Sequence, residues 1–156
     1  MLFSKTKFIT LILLLFFIID RITKYFALNK LYEKGVYFFK YFQLQLQTNP
    51  GIAFGILLPK FLIIFLTIII IFFIFSYFFK SIKKERYLEA FLLGLIIIGA
   101  ISNLLDRIFY KEVIDFIQIN IWPTFNLADA YISIGVILFL IINIKKDSEK
   151  NISRAL

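Results

Sequence analysis

Apolar runs dominate the chain, and polar residues break them at well-spaced places. The runs cover about residues 8–28, 59–79, 87–108 and 127–144. Each is close to the roughly 20 residues that a helix needs to cross a bilayer, so the pattern predicts four membrane-spanning helices. The stretches between the runs read differently. Phe42-Gln43-Leu44-Gln45-Leu46-Gln47 alternates strictly, the period of a strand with one apolar face. Thr48-Asn49-Pro50-Gly51 follows it as a turn signal. Together they predict a small β element at the outer membrane surface, its apolar face toward lipid or substrate. The segment from Phe109 to Asn126 carries Tyr110, Val113, Ile114, Phe116, Ile117 and Trp122. It is too apolar for open water and is predicted to lie in the membrane interface as a loop or short helix, with Tyr110 and Trp122 as boundary residues. The expected fold class is an all-α membrane protein: four transmembrane helices, a small extracytoplasmic β element and an interfacial loop or helix, in one domain over residues 1–156.

Composition agrees and removes several chemistries. The 156 residues are 61% hydrophobic, which leaves no room for a separate soluble catalytic domain. There is no Cys and no His. That excludes disulfides, thiol nucleophiles, Ser-His-Asp triads and imidazole-held zinc. No metal and no cofactor are expected.

The net charge of +8 does not point to nucleic acid, because the basic residues gather at the ends of the apolar runs. Lys5 and Lys7 precede the first run, and Lys80, Lys83, Lys84 and Arg86 fill the loop between the second and third. Lys145, Lys146, Lys150 and Arg154 follow the fourth. The positive-inside rule puts these three segments in the cytoplasm and the two other loops outside. The start looks like a signal peptide but has no small-residue cleavage site, and its helix continues through Asp20, Arg21 and Lys24. It is expected to stay as the first span.

Only ten residues are acidic, and this topology sorts them. Glu85, Glu89, Asp147 and Glu149 mix with Lys at cytoplasmic ends and are expected on the solvated surface. Glu33 and Glu112 are loop residues beside Lys34 and Lys111. Asp20, Asp106, Asp115 and Asp129 remain, all at the outer ends of spans or in the loop between them. Ionisable groups at that depth are costly, and each is a functional candidate. Asp20 and Lys24 stand at i and i+4, which suits either a helix-surface pair or a brace for a site. Gly99, Asn103 and Arg107 mark one helical face, small in the middle and polar at the outer end, where a neighbouring helix can approach and bond. Asp106 is expected to be a structural partner on that helix, and Arg107 is a candidate for holding a substrate carbonyl or lipid phosphate. Asn126-Leu-Ala-Asp129 resembles a capping box, which would fix the Asp129 geometry. Asp115, inside Val-Ile-Asp-Phe, has no sequence-local partner. Asp115 and Asp129 thus form a candidate pair sharing one proton, one to activate water and the other to polarise a carbonyl. By spacing alone, two such acids could instead be an ion site.

These motifs resemble those of the lipoprotein signal peptidases, the type II signal peptidases of bacteria. The resemblance rests on Asp-Arg-Ile-Thr-Lys at 20–24, Asn-Pro-Gly-Ile-Ala-Phe at 49–54 and Gly-Ala-Ile-Ser-Asn-Leu-Leu-Asp-Arg at 99–107. Val-Ile-Asp-Phe at 113–116 and Phe-Asn-Leu-Ala-Asp at 125–129 complete it. It implies a four-helix aspartyl protease of the bacterial inner membrane with a small β-cradle. Such an enzyme removes signal peptides from prolipoproteins just before a diacylglyceryl-modified Cys. It implies Asp115 and Asp129 as the catalytic pair. Asn49, Gly51, Asn103, Arg107 and Asn126 then line the substrate site, with Asp20, Lys24 and Asp106 in support. Its partners would be lipidated prolipoproteins and membrane phospholipid, with no nucleic acid. Nothing in the chain specifies an oligomeric state. One departure is Ser102, where the family usually has Gly; a hydroxyl there can bond back to its own helix and shift packing slightly. The competing readings are a small ion- or proton-coupled transporter using the outer Asp cluster, and a non-enzymatic assembly factor. A transporter relay needs polar groups at several depths, which the second and fourth runs lack.

Overall fold

The computed structural model describes residues 2–31, 35–51 and 58–155. Glu33, Lys34 and the 52–54 end of the Asn-Pro-Gly-Ile-Ala-Phe motif lie outside the described residues. The chain runs α1 (Leu2–Lys30), β1 (Val36–Phe39), β2 (Phe42–Asn49), α2 (Lys60–Lys83), α3 (Tyr87–Phe109), β3 (Val113–Ile119) and α4 (Leu127–Ala155). Among the described residues, Lys60–Lys83, Tyr87–Phe109 and Leu127–Lys146 are long and apolar enough to cross a membrane. α1 has 29 residues and so matches them in length, but it carries Asp20, Arg21 and Lys24 in its second half. The expected architecture of four long helices and a small β element is present.

α3 is the centre. It packs against α1, α2 and α4. Glycines set how closely α4 can approach it. A Cβ on Gly99 would stand 2.5 Å from the Ala128 carbonyl oxygen, and one on Gly135 would stand 2.8 Å from that of Leu92. Only small residues allow backbones this close. Below this seam, Ile9 and Leu13 of α1 pack on Leu92 and Leu95 of α3. α2 buries only Ile63 and Ser81 among its described residues and turns a row of Phe and Ile outward.

The β element is larger than the sequence suggests. The sheet has three strands in the order β1-β2-β3, both pairs antiparallel. Residues 113–119, expected as an interfacial loop or helix, instead form β3, which pairs Gln47 with Asp115 and Asn49 with Val113. β2 alternates as expected, but Leu44 and Leu46 do not face lipid or substrate. They pack on Ala27 and Leu31 at the end of α1 and on Ile114 and Phe116 of β3. This small core fixes the sheet, and Asp115 within it, against the helices.

At the opposite end, Glu89 corrects an expectation. Its neighbours in sequence predict solvated surface, yet its side chain is buried. Lys146 of α4 and Arg86 pair with it, and the Ser81 hydroxyl of α2 lies 3.5 Å away. Three helices meet on this one carboxylate, which repetitive Lys/Glu composition hides.

Candidate active site

Two linked polar clusters lie where the sheet meets the helices. The first is a closed charge network. Asp20, Lys24 and Asp106 have no exposed surface. Lys24 Nζ lies 2.7 Å from Asp106 Oδ2 and 3.4 Å from Asp20 Oδ2, and it donates to Asn103 Oδ1 at 2.8 Å. Arg21 Nη1 meets Asp106 Oδ1 at 2.6 Å. Asp20 Oδ1 accepts from the Ala128 backbone N–H at 2.8 Å, which pins the start of α4 to α1. The Asp20–Lys24 pair is therefore not on a helix surface; it joins α1, α3 and α4. Asp106 also accepts from the Ile114 N–H at 3.4 Å, so it ties β3 to α3.

Ser102 differs from its expectation. Its hydroxyl does not bond back to α3. It donates to Asp20 and accepts from Arg21 Nη1 at 3.0 Å. The reason is its position on the face of α3 that meets α1, where an acid and a cation are already waiting.

The second cluster is built around two asparagines. Asn126 caps α4, and the capping box forms in both directions. The Asp129 N–H donates to Asn126 Oδ1 at 2.9 Å, and the Asn126 N–H donates to Asp129 Oδ2 at 3.2 Å. The Asn126 amide also donates to Asp115 Oδ1 at 2.7 Å, to Asn103 Oδ1 at 3.2 Å and to the Ile114 carbonyl at 3.3 Å. Asn103 Nδ2 donates to Asp129 Oδ1 at 2.7 Å. One buried asparagine therefore touches both candidate carboxylates. Asp115, without a sequence-local partner, finds one eleven residues on.

These carboxylates face a cavity of about 520 Å³. Asn49, Asn103, Arg107, Asp115 and Asp129 form its polar end, while Ile70 of α2, Ile96 and Ala100 of α3 and Ile132 of α4 form its apolar end. Arg107 donates to the Gly51 carbonyl at 3.0 Å and to the Asn103 carbonyl at 3.2 Å. Among the described residues it makes no ion pair, and its buried Nε has no partner. Asn49 Oδ1 accepts from the Gly51 N–H at 2.9 Å, closing the turn that Arg107 holds. All ten site residues read from the sequence therefore converge. The sequence missed Arg21, Ser102 and the apolar walls; only the motif Asp-Arg-Ile-Thr-Lys hinted at Arg21.

Electrostatics separate the two clusters. The acids of the first are each met by a cation. Asp115 is not; burial and then the neighbouring Asp129 charge push its carboxyl from 3.8 up to about 7, against the pull of the Asn126 amide. A carboxyl that keeps its proton near neutral pH, beside a second carboxylate in an open cavity, can serve as an acid while its neighbour serves as a base. Among the described residues no three acidic side chains converge as a metal-holding group.

Comparison with known proteins agrees with this geometry. The pattern of the family described as "Signal peptidase (SPase) II" matches residues 12–145. The lipoprotein signal peptidase of Thermodesulfovibrio yellowstonii is 39% identical over 140 residues, covering 85% of this chain and 91% of that protein. That of Clostridium tetani is 39% identical over 145 residues, covering 88% and 92%. A solved bacterial membrane enzyme, determined by the in meso method at 2.3 Å, superposes with a TM-score of 0.82 at 33% identity, covering 92% of each chain. The chain belongs to the lipoprotein signal peptidase family, the signal peptidase II proteases of bacterial membranes.

Proposed function

We propose that this protease is an aspartyl endopeptidase that cuts lipid-modified prolipoproteins just before the diacylglyceryl Cys, with Asp115 and Asp129 as its catalytic pair. The observation that carries the reading is Asn126, whose side-chain amide donates to the Asp115 carboxylate and whose backbone N–H donates to that of Asp129, with both acids lining one cavity. The chemistry follows from a pair sharing one proton. The ionised carboxylate takes a proton from water, and the water oxygen bonds to the scissile carbonyl carbon. The protonated carboxyl gives its proton to the carbonyl oxygen. In the collapse, the carboxyl that took the water proton gives it to the leaving nitrogen, the C–N bond breaks, and the hydroxyl proton returns to the other carboxylate as the carbonyl re-forms. Arg107, tied among the described residues to backbone carbonyls alone, remains able to hold a substrate carbonyl or a lipid phosphate. The apolar end of the cavity suits an acyl chain or an apolar signal segment.

The same reading puts both termini and the Lys80–Arg86 turn in the cytoplasm and the sheet outside, in the inner membrane, with α1 as a fourth span. Asn49, Gly51, Asn103 and Asn126 would line the substrate, and Asp20, Lys24 and Asp106 would support it. The test is cleavage of a diacylglyceryl precursor by the purified protein in detergent with chelator present, beside the same precursor lacking the lipid. Cleavage of the lipidated form alone is expected. Equal cleavage of both forms would reject the lipid requirement, and dependence on added metal would reject the carboxylate mechanism.

A further inference from the structure

We propose that Lys24, acting through the Asn103 side chain, decides which cavity carboxylate carries the charge: Asp129 is the ionised base and Asp115 the acid. The proposal rests on the reading of Asp115 and Asp129 as the reacting pair and goes one step further, to a positioning residue two contacts from the chemistry.

Hydrogen-bond direction carries the inference. An ammonium only donates, and Lys24 Nζ faces Asp106 Oδ2, Asp20 Oδ2 and Asn103 Oδ1. The Asn103 oxygen is thereby committed to Lys24 and also receives the Asn126 amide at 3.2 Å. Its nitrogen must then point the other way, where it donates to Asp129 Oδ1 at 2.7 Å. Asp129 Oδ2 meets a second donor, the Asn126 N–H. With an N–H donor at each oxygen, the charged form of Asp129 is better stabilised by hydrogen bonds than that of Asp115, so the charge belongs there. Asp115 receives one short bond, from the Asn126 amide at Oδ1, with the Asn49 side chain a weaker partner, so it is the less well held of the two as an anion.

Other charges around the pair do not make the same choice. Arg21, Asp20 and Asp106 are joined to one another and to Lys24 from α1 and α3. Arg107 of α3 senses both Asp115 and Asp129 through space. Tyr131 of α4 is coupled to Asp20. The Lys24 charge itself reaches both acids through space, but the only carboxylate that Asn103 donates to is Asp129.

The test is the pH dependence of kcat/KM for Lys24→Met on a lipidated precursor. Without the ammonium, the acid limb, where the base becomes protonated, should rise by about one pH unit, and the alkaline limb should move less, with KM unchanged. An unmoved acid limb, or equal movement of both limbs, overturns the relay. Where Lys24→Met does not fold, Lys24→Met/Asp106→Asn keeps the buried charge balanced and should shift in the same direction. An infrared measurement needs no Lys24 variant. The carboxylic-acid C=O band of the wild type near pH 6 should vanish in Asp115→Asn, and its persistence there overturns the charge assignment. The relay and the pair fail differently. Full cleavage by Asp115→Asn or Asp129→Asn sinks the pair, whereas loss of cleavage in both with an unmoved acid limb sinks only the relay.

Discussion

Replacing Asp115 by Asn should destroy cleavage and stabilise the protein, with a stabilisation that depends on pH. The folded chain holds the Asp115 proton up to about pH 7, while the ordinary value is 3.8. Between those values the folded state binds more protons than the unfolded state, so the contribution of Asp115 to stability falls as pH rises. At about 1.36 kcal/mol for each tenfold step in proton affinity, the full span is about 4 kcal/mol, an upper bound for a buried, coupled group. Asn cannot ionise, and its amide oxygen can still accept from Asn126 where Asp115 Oδ1 does now.

The variant and wild type should therefore melt together near pH 4. Above pH 7.5 the variant should melt higher, by roughly 2–4 °C per kcal/mol for a chain of this size. Over the same range its cleavage rate should be down by at least ~10³-fold, since acid and base act as a unit. The assay is thermal unfolding in one detergent across pH, beside single-substrate cleavage. A variant equal to or less stable than wild type at pH 8 would refute the account of Asp115 as a carboxyl strained by burial and by Asp129.

Asp106→Asn should behave in the opposite way: it leaves Arg21 and Lys24 short of a buried partner, so it should cost about 3–5 kcal/mol and lower the melting temperature while measurable cleavage remains. Gly99→Ala places a Cβ 2.5 Å from the Ala128 carbonyl oxygen; it should cost about 1–3 kcal/mol, and slower cleavage should accompany the lower melting temperature as the Asn103–Asp129 bond stretches. Single Cys residues placed in the Cys-free chain test topology: a probe confined to the outside should label position 49 and not position 83, and labelling of 83 would reverse the orientation.

The sequence made the helices legible because their apolar runs are long and end in charged clusters, and it exposed the capping box because both partners lie within one turn. The sheet was only partly legible. β2 alternates polar and apolar residues, but Val36-Tyr-Phe-Phe does not, and β3 buries Val113, Ile114, Asp115 and Phe116 in succession. A strand buried on both faces loses the period of two and looks like a buried loop or helix. Ser102 and Glu89 were misjudged for a shared reason. A polar side chain on a helix takes its meaning from the neighbouring helix, and those contacts span 82 residues for Ser102–Asp20 and 57 for Glu89–Lys146.

Charge balance explains why two Asp hold the fold and two remain for chemistry. Asp20 and Asp106 face Lys24 and Arg21 at distances of 2.6–3.4 Å, so the formal charges of that half of the cluster, two acids and two bases, cancel. Asp115 and Asp129 share the remaining nearby cation, Arg107, which senses both through space. With both ionised, this half would carry an excess negative charge in a largely buried place, where charge is expensive. With one proton retained it balances. The arrangement that leaves the site electrically neutral is therefore the same arrangement that water attack on a peptide carbonyl requires, one carboxylate and one carboxylic acid. An added cation should upset it. Ser133 of α4 also lines the cavity, and a positive charge there, as in Ser133→Lys, would favour the doubly ionised pair and lower the alkaline limit of cleavage. A neutral change of similar size, Ser133→Met, should leave that limit where it is. An alkaline limit indifferent to both would mean that the proton on the pair is set by something other than the charge around it.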